Sequence, residues 1–234
     1  MSPKKSEKLS RKRVLITAGP TREFLDPVRF LSNPSTGKMG IALAEEAVKR
    51  GARVTLVLGP SPFGERIKEW GSLHVIQVVS AQQMYTAVMK YYRQADIVIM
   101  AAAVGDWRPV RMATKKIKKV RAQLIAPLHL KLVPTKDILA TVGKKKKKGQ
   151  FLVGFAAETD HLLRNGQAKL KKKNCDLMVV NRVGLKGTGF GSETNQVLLL
   201  SRRQPPIRLP RQSKQRVAET ILSQIENLYQ NERV

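Results

Sequence analysis

The 234 residues suffice for one large domain or two small ones, and 42% of them are hydrophobic, which is typical of a globular chain. The longest apolar runs are far shorter than the roughly 20 residues that span a bilayer. The basic N-terminus leads into a β-type run instead of a signal-peptide core. We therefore expect a cytoplasmic protein with no membrane partner. The single cysteine excludes an intramolecular disulfide.

The net charge of +27 comes from 44 lysine and arginine residues against 17 acidic residues. Such an excess is typical of proteins that bind nucleic acid. However, the positive residues form separate blocks with few aromatic residues among them, and no zinc-finger or RNA-recognition motif is present. A solvated, lysine-rich surface explains the same composition. We expect no specific nucleic-acid partner, and a Rossmann-like nucleic-acid-binding protein remains the alternative function.

Short apolar runs alternate with helical patterns, which predicts βαβ units and a parallel sheet. The predicted strands span residues 14–18, 53–58, 74–79, 96–102, 150–155 and 176–180. The predicted helices span about residues 38–50, 81–93, 135–142, 160–173 and 213–229. We expect one doubly wound, mostly parallel, Rossmann-like α/β domain over residues 13–230, after a basic tail at residues 1–12.

Two stretches interrupt the alternation. Residues 108–133 begin with lysines and end in alternating leucines, which predicts an inserted flap with a half-buried strand at 124–132. Residues 184–203 contain a glycine-rich loop followed by an apolar strand at 196–200. Because an apolar strand at the end of a sheet often pairs with another subunit, this second insertion predicts a dimerisation surface.

The loop after the first strand is a candidate ligand site, because open α/β sheets bind ligands beyond the carboxyl ends of their strands. Its glycines let the backbone approach a ligand, and we expect Ser35 or Thr36 to cap a helix whose N-terminal amides attract phosphate. The loop is not a P-loop, since Met39 replaces Ser or Thr after Gly37-Lys38. The missing GxGxxG pattern disfavours an NAD-dependent reductase.

Three other segments follow predicted strands or lie beside them. Asp106 stands among small residues and can bind a hydroxyl group or a metal-bound water, or it is a solvated strand end. Residues 115–119 are either a charged surface run or mobile lysines that neutralise a triphosphate. Lys169 and Lys173 share a helix face that is either solvated or ligand-facing. We expect Cys175 to be a buried core residue and not a nucleophile, because no activating histidine is nearby.

Seven segments together carry a resemblance to a known family. In chain order they are GPTREFLDPVRFLSNPSTGKMG (19–40), AAAVGDWRP (101–109), KKIKK (115–119), PTKDIL (134–139), VGFAAET (153–159), KKKNCDLMVVN (171–181) and GFGSETN (189–195). The set resembles phosphopantothenate-cysteine ligase, the phosphopantothenoylcysteine synthetase domain of the bacterial bifunctional protein of coenzyme A biosynthesis. The resemblance runs collinearly from about residue 13 to about residue 227.

The resemblance implies a two-step ligation of phosphopantothenate and cysteine. The phosphopantothenate carboxylate attacks the α-phosphate of CTP to give an acyl-cytidylate and pyrophosphate, and the amine of cysteine then displaces CMP. ATP is the alternative nucleotide, and Mg²⁺ is expected with the triphosphate. The resemblance also implies a homodimer, with a separate flavin-dependent decarboxylase as a further partner.

The resemblance also assigns roles to individual residues, while metal ligands remain unassigned. Catalytic roles are implied for Asn33, Lys116 and Arg29, of which Asn33 holds the acyl intermediate. The implied nucleotide-binding residues are Ser35, Gly37, Gly40, Ala102, Asp106, Lys116, Lys136, Asp137, Ile138, Leu139, Phe155, Lys169 and Lys173.

Overall fold

A computed structural model describes residues 9–64, 67, 71–118, 129–184 and 191–230. Twelve strands are present in these ranges: β1 (Arg13–Ala18), β2 (Arg22–Phe24), β3 (Phe30–Ser32), β4 (Arg53–Leu58), β5 (Leu73–Gln77), β6 (Ile97–Met100), β7 (Trp107–Pro109), β8 (Leu132–Pro134), β9 (Phe151–Glu158), β10 (Leu177–Arg182), β11 (Thr194–Ser201) and β12 (Ile207–Ser213). The α-helices described are α1 (Lys38–Lys49), α2 (Ala81–Tyr91), α3 (Ile138–Lys145), α4 (Leu162–Lys172) and α5 (Lys214–Gln230).

Eight of the strands form one sheet in the order β12-β11-β10-β9-β6-β1-β4-β5. The six strands from β10 to β5 are parallel, whereas β11 and β12 extend the sheet in antiparallel pairings. Residues on alternate positions of β1 serve opposite faces, so that Ile16 packs with α1 and α5 while Leu15 packs with α2, α3 and α4. The predicted doubly wound, mostly parallel α/β fold is therefore confirmed.

Three details differ from the sequence-based expectation. The predicted strand at 196–200 lies within β11, which has β10 and β12 on either side and thus no free backbone edge for another subunit. Helix α3 begins at Ile138 because Asp137 caps it with its side chain, so residues 135–137 are not helical. Pro20 and the flap segment also organise outside the main sheet, where β7 pairs with β8 and β2 with β3.

Parts of both predicted insertions fall outside the described residues. In the flap, residues 119–128 are not described, and Leu130 and Leu132 beside them are about 40% exposed, which is more than a half-buried strand predicts. In the second insertion, residues 185–190 are not described. Among the described residues, no helix combines the length and the apolar character that a membrane span requires.

Candidate functional site

The loops after β1 and β6 diverge at the centre of the sheet. From β1 the chain proceeds to β4 and β5 on one side, and from β6 it proceeds to β9 and β10 on the other. Just beyond the sheet the two loops stay in contact, because Ala103 N donates a hydrogen bond to Gly19 O at 2.9 Å and Ala103 forms a parallel bridge with Pro20. Doubly wound folds bind their ligands at this topological switch point.

Asn33 spans this switch point. Its side-chain amide Nδ2 donates hydrogen bonds to Ala103 O at 3.2 Å and to Val104 O at 3.1 Å. Both contacts use the nitrogen, and no described residue donates a hydrogen bond to Oδ1. The Asn33 carboxamide is therefore held in a fixed orientation with its oxygen available to a ligand.

The N-terminus of α1 faces the same crevice, but its cap differs from the expectation. Gly37 is the N-cap residue in the left-handed region, with φ of 82°, and no side chain caps the helix. The expected cap from Ser35 or Thr36 is wrong, because the Ser35 hydroxyl accepts a hydrogen bond from Gly37 N at 3.3 Å before the helix begins. The first backbone amides of α1 thus remain without a side-chain acceptor.

Gly40 lets α1 approach β1 closely. A Cβ atom at this position would lie 2.5 Å from the Ala18 Cβ and 3.0 Å from Thr17 O. Any larger residue would push the first turn of α1 away from the strand. Gly40 therefore contributes to the site by packing as well as by its place in the loop.

Two adjoining cavities open at the switch point. The first, here called the α1 cavity, has a volume of about 280 Å³, and the predicted residues that line it are Asn33, Ser35, Gly37, Gly40, Ala102, Asp106, Phe155 and Lys169. The second, the α3 cavity, has a volume of about 620 Å³ and adds Lys136, Asp137, Ile138, Leu139 and Lys173. The two cavities share Ala102, Val104, Asp106, Phe155 and Lys169.

A larger groove lies elsewhere on the surface. It has a volume of about 1210 Å³ and lies between α2 and the loop that follows β4. None of the predicted site residues lines it. Its size reflects an open surface, whereas the two smaller cavities lie where the sheet topology predicts a ligand, so we assign the functional site to the smaller pair.

Lysine side chains surround the α3 cavity. Lys173 pairs with Asp137, and Lys169 Nζ lies 2.6 Å from Glu158 Oε1. The ammonium group of Lys136 lies 4.5 Å from the ring centroid of Tyr85, in a cation–π contact. The shared helix face predicted for Lys169 and Lys173 thus faces this cavity, and both ammonium groups are held by carboxylates.

The charge state of Asp137 follows from the same contacts. Partial burial raises the pKa of Asp137, but hydrogen bonds from Lys173 and from Ala140 N, with the charges of Lys173 and Lys172, lower it further. The net pKa therefore lies below its ordinary value, and the carboxylate is ionised at neutral pH. This carboxylate holds Lys173 beside the cavity.

Arg29 and Lys116 are not brought into either cavity. Arg29 binds the fully buried Asp26 through Nε at 2.9 Å and through Nη2 at 2.5 Å, and Nη2 also donates to Ile117 O at 2.6 Å. Burial raises the pKa of Asp26, but hydrogen bonds from Val28, Arg29 and Ile117 lower it more, so the net pKa is below the ordinary value. Asp26 therefore fixes both Arg29 and the backbone next to Lys116, whose side chain is exposed.

Cys175 is a core residue, as expected. It is fully buried, and burial together with the charge of Asp176 raises the pKa of its thiol to about 12. A thiol in this state forms almost no thiolate at neutral pH.

Within the described ranges, no group of three or more His, Cys, Asp or Glu side chains is placed to hold a metal ion. Asp106 is the carboxylate that both cavities share, and no described cation forms an ion pair with it. A single free carboxylate fits Mg²⁺ that takes most of its ligands from phosphates and water.

The α1 cavity also contains residues to which the sequence assigned no role. Asn181 at the end of β10, Asn195 in β11 and Lys214 at the start of α5 line its far end with Thr36 and Lys38. Asn195 belongs to the GFGSETN segment and Lys214 to a basic block, but neither pattern indicates a ligand. One signal was available: Lys214 opens a helix directly after a strand, where ligand-binding residues often lie.

Comparison with known proteins places this site in a family. Residues 9–229 match the domain family described as DNA/pantothenate metabolism flavoprotein C-terminal domain. The coenzyme A biosynthesis bifunctional protein CoaBC of Bacillus subtilis (strain 168) is 46% identical over 220 residues, which cover 94% of this chain and 52% of that protein. A protein named cysteine/cysteine sulfinic acid decarboxylase, from an unknown prokaryotic organism, is 44% identical over 217 residues, with coverages of 93% and 58%.

The chain thus spans little more than half the length of these curated relatives. A solved structure covers the same portion: the crystal structure of the C-terminal domain of CoaBC is 39% identical, with a TM-score of 0.79 over 97% of this chain and 100% of that one. The family match and the seven collinear segments agree. The chain therefore belongs to the family of the DNA/pantothenate metabolism flavoprotein C-terminal domain, the ligase-domain family that its sequence motifs predicted.

Proposed function

We propose that this chain is a phosphopantothenate-cysteine ligase of coenzyme A biosynthesis that uses CTP. The observation that carries the proposal is the pair of adjoining cavities at the switch point, which meet at Ala102, Asp106, Phe155 and Lys169. One cavity has the N-terminus of α1 and the other has three lysines. This arrangement suits a reaction in which two anionic substrates must be brought into contact.

The proposed reaction has two steps. A carboxylate oxygen of phosphopantothenate attacks the α-phosphorus of CTP, the bond to the bridging oxygen breaks, and pyrophosphate leaves. The amine of cysteine then attacks the acyl carbon, loses a proton, and expels CMP to leave the amide. A carboxylate is a poor acyl donor, so the nucleotide supplies the leaving group while the protein positions the substrates and neutralises charge.

Asn33 has the position required for the residue that holds the acyl intermediate. Its amide is fixed by Ala103 O and Val104 O at the point where the two loops meet. Lys136, Lys169 and Lys173 offset the charge of the triphosphate and of the departing pyrophosphate. Mg²⁺ would reach the site with the triphosphate, with Asp106 as its carboxylate contact.

Arg29 and Lys116 retain the catalytic roles that the family resemblance implies, but only as proposals. Both lie outside the cavities in this chain, and Ile117 links them. Their participation requires the segment at 115–118 to move on substrate binding, or to act at the site of a second subunit. The proposed homodimer predicts a mass in solution of twice the chain mass of 26.2 kDa, measurable by light scattering.

The proposed function is tested by incubating the protein with phosphopantothenate, cysteine and Mg²⁺, with CTP and with ATP in parallel. Pyrophosphate and phosphopantothenoylcysteine should form together, faster with CTP. When cysteine is left out, pyrophosphate release should stop after about one equivalent per site, because the acyl-nucleotide stays bound. If neither nucleotide gives the amide, the proposal is wrong.

A further inference from the structure

The far end of the α1 cavity differs in composition from the rest of the site. Three elements converge there: the start of α1, strand β11 and the start of α5. They contribute Thr36, Lys38, Asn195 and Lys214, and Asn181 reaches the same end from β10. Asn195 is 2% exposed and Lys214 is 8% exposed, so both polar side chains are buried inside the protein.

Buried polar atoms at this end lack partners. The side-chain oxygens Thr36 Oγ1, Asn181 Oδ1 and Asn195 Oδ1 are buried and have no hydrogen-bond partner. The Asn195 amide nitrogen makes only a weak contact with the Met39 sulfur, at 3.6 Å. Leaving such groups unpaired costs free energy, which a ligand with hydrogen-bonding groups recovers. All three residues line the α1 cavity, so the missing partner belongs in it.

The charges at this end favour an anion. Lys38 forms an ion pair with Glu193, and Glu45 on the neighbouring surface is paired with Lys49. Burial and the charge of Lys38 lower the pKa of Lys214, although Glu193 raises it. Two lysines therefore share Glu193, and the backbone amides at the start of α1 add partial positive charge.

We propose that Lys214, with Lys38, Thr36 and the first amides of α1, binds the phosphomonoester of the acid substrate and makes the enzyme selective for the phosphorylated acid. The proposal rests on the proposed ligase function and deepens it. Phosphopantothenate matches this end of the cavity along its length. Its phosphate meets the lysines, and its hydroxyl and amide N–H groups are donors for the unpaired oxygens of Asn181 and Asn195.

This assignment orients both substrates. With the phosphomonoester at α1, the carboxylate of the acid points toward Ala102 and Asp106, where the two cavities meet. The nucleotide then occupies the α3 cavity, with its phosphates toward Lys136, Lys169 and Lys173. The loop from Ser35 to Gly40, which sequence motifs predicted to face the nucleotide, faces the acid substrate instead.

The proposal is tested with two substrates that differ only in the phosphate. Phosphopantothenate and pantothenate are titrated calorimetrically into the wild type and into Lys214→Met, and kcat/KM is measured for both acids. The wild type should prefer phosphopantothenate, and Lys214→Met should reduce that preference by roughly 10- to 100-fold, as expected for a lost charged hydrogen bond. The KM for the nucleotide should change by less than about twofold, because Lys214 does not line the α3 cavity.

Three further variants serve as controls. Lys49→Met removes the same charge from the exposed end of α1, outside the cavity, and should keep the preference. Lys214→Arg keeps a positive charge and should retain part of it. Asn195→Leu should lower kcat/KM for both acids equally, since Asn195 is assigned to the hydroxyl and amide groups they share. If Lys214→Met does not fold, Lys38→Met at the same subsite should show a smaller loss of preference.

The outcomes separate the two proposals. If folded Lys214→Met keeps the wild-type preference, or if the wild type has none, the phosphate subsite is refuted even when the ligation proceeds. If the wild type prefers phosphopantothenate in binding but forms no amide with either nucleotide, the ligase function fails while the subsite stands.

Discussion

Asp137 has two roles that two substitutions can separate. Its Oδ1 accepts a hydrogen bond from Ala140 N at 2.8 Å and caps α3, while its Oδ2 pairs with Lys173 beside the α3 cavity. Asp137→Asn keeps an acceptor at the cap and removes the negative charge. Asp137→Ala removes both the cap and the charge. The difference between the two variants therefore isolates the cap.

The expected magnitudes follow from the geometry. Loss of an N-cap acceptor costs about 1 kcal/mol, and an ion pair whose Asp137 side chain is 51% exposed contributes only ~0.2–1 kcal/mol. Asp137→Ala should lower the free energy of unfolding by about 1–2 kcal/mol, and Asp137→Asn by no more than about 1 kcal/mol. At roughly 2–4 °C per kcal/mol, the alanine variant should unfold about 2–8 °C below the wild type.

The effect of pH has a definite sign. Because the folded-state pKa of Asp137 lies below its ordinary value of 3.8, its ionised form stabilises the folded chain above that pH. This stabilisation is lost as the pH falls through the folded-state pKa. The difference in Tm between the wild type and Asp137→Asn should therefore be complete at neutral pH and shrink below the ordinary value.

Thermal unfolding followed by circular dichroism measures all three Tm values. If Asp137→Asn proves as unstable as Asp137→Ala, the carboxylate does not act as a helix cap and the reasoning fails. Freeing Lys173 should also lower the KM for the nucleotide in Asp137→Asn by up to about fivefold, the range expected for one exposed ion pair. A raised KM would show that the Asp137 charge itself helps nucleotide binding.

Four further predictions concern other parts of the chain. Asn33→Asp places a carboxylate against two backbone carbonyls and should lower kcat at least ~100-fold while rapid quench still detects acyl-nucleotide; unchanged turnover contradicts its role. Gly40→Ala should lower the free energy of unfolding by about 1–3 kcal/mol, because its Cβ would lie 2.5 Å from that of Ala18; an unchanged urea midpoint refutes this packing. Cys175 should resist iodoacetamide until the chain unfolds, whereas rapid native labelling would contradict its burial. Binding to duplex DNA should fall steeply with added salt, and binding that persists would favour the nucleic-acid alternative.

The parallel core could be predicted from local pattern because each central strand is a short apolar run. In β1, the five residues from Val14 to Ala18 are all buried, and their β-branched and apolar character is visible in the sequence. Strand ends were harder to predict. Strand β9 continues to Glu158, beyond the predicted end at residue 155, because Glu158 pairs with Arg182 of β10. Such pairing is tertiary and leaves no local signal.

The candidate site could be predicted in part for the same reason. Residues that directly follow β1 and β6, such as Asn33 and Asp106, meet because the carboxyl ends of adjacent parallel strands share one sheet edge. Lys214 and Asn195 reach the cavity only because β11 and β12 fold back antiparallel to β10, which no spacing in the sequence reveals. Likewise, the binding of Arg29 to Asp26 depends on a buried turn.

The central claim is that the acid is activated as an acyl-nucleotide, and an isotope transfer tests it most directly. Phosphopantothenate labelled with ¹⁸O in both carboxylate oxygens is converted with CTP and cysteine, and the products are analysed by mass spectrometry. If the carboxylate attacks the α-phosphate, one ¹⁸O atom must appear in CMP and none in pyrophosphate. Label in inorganic phosphate, with release of CDP, would show activation at the γ-phosphate and contradict the account.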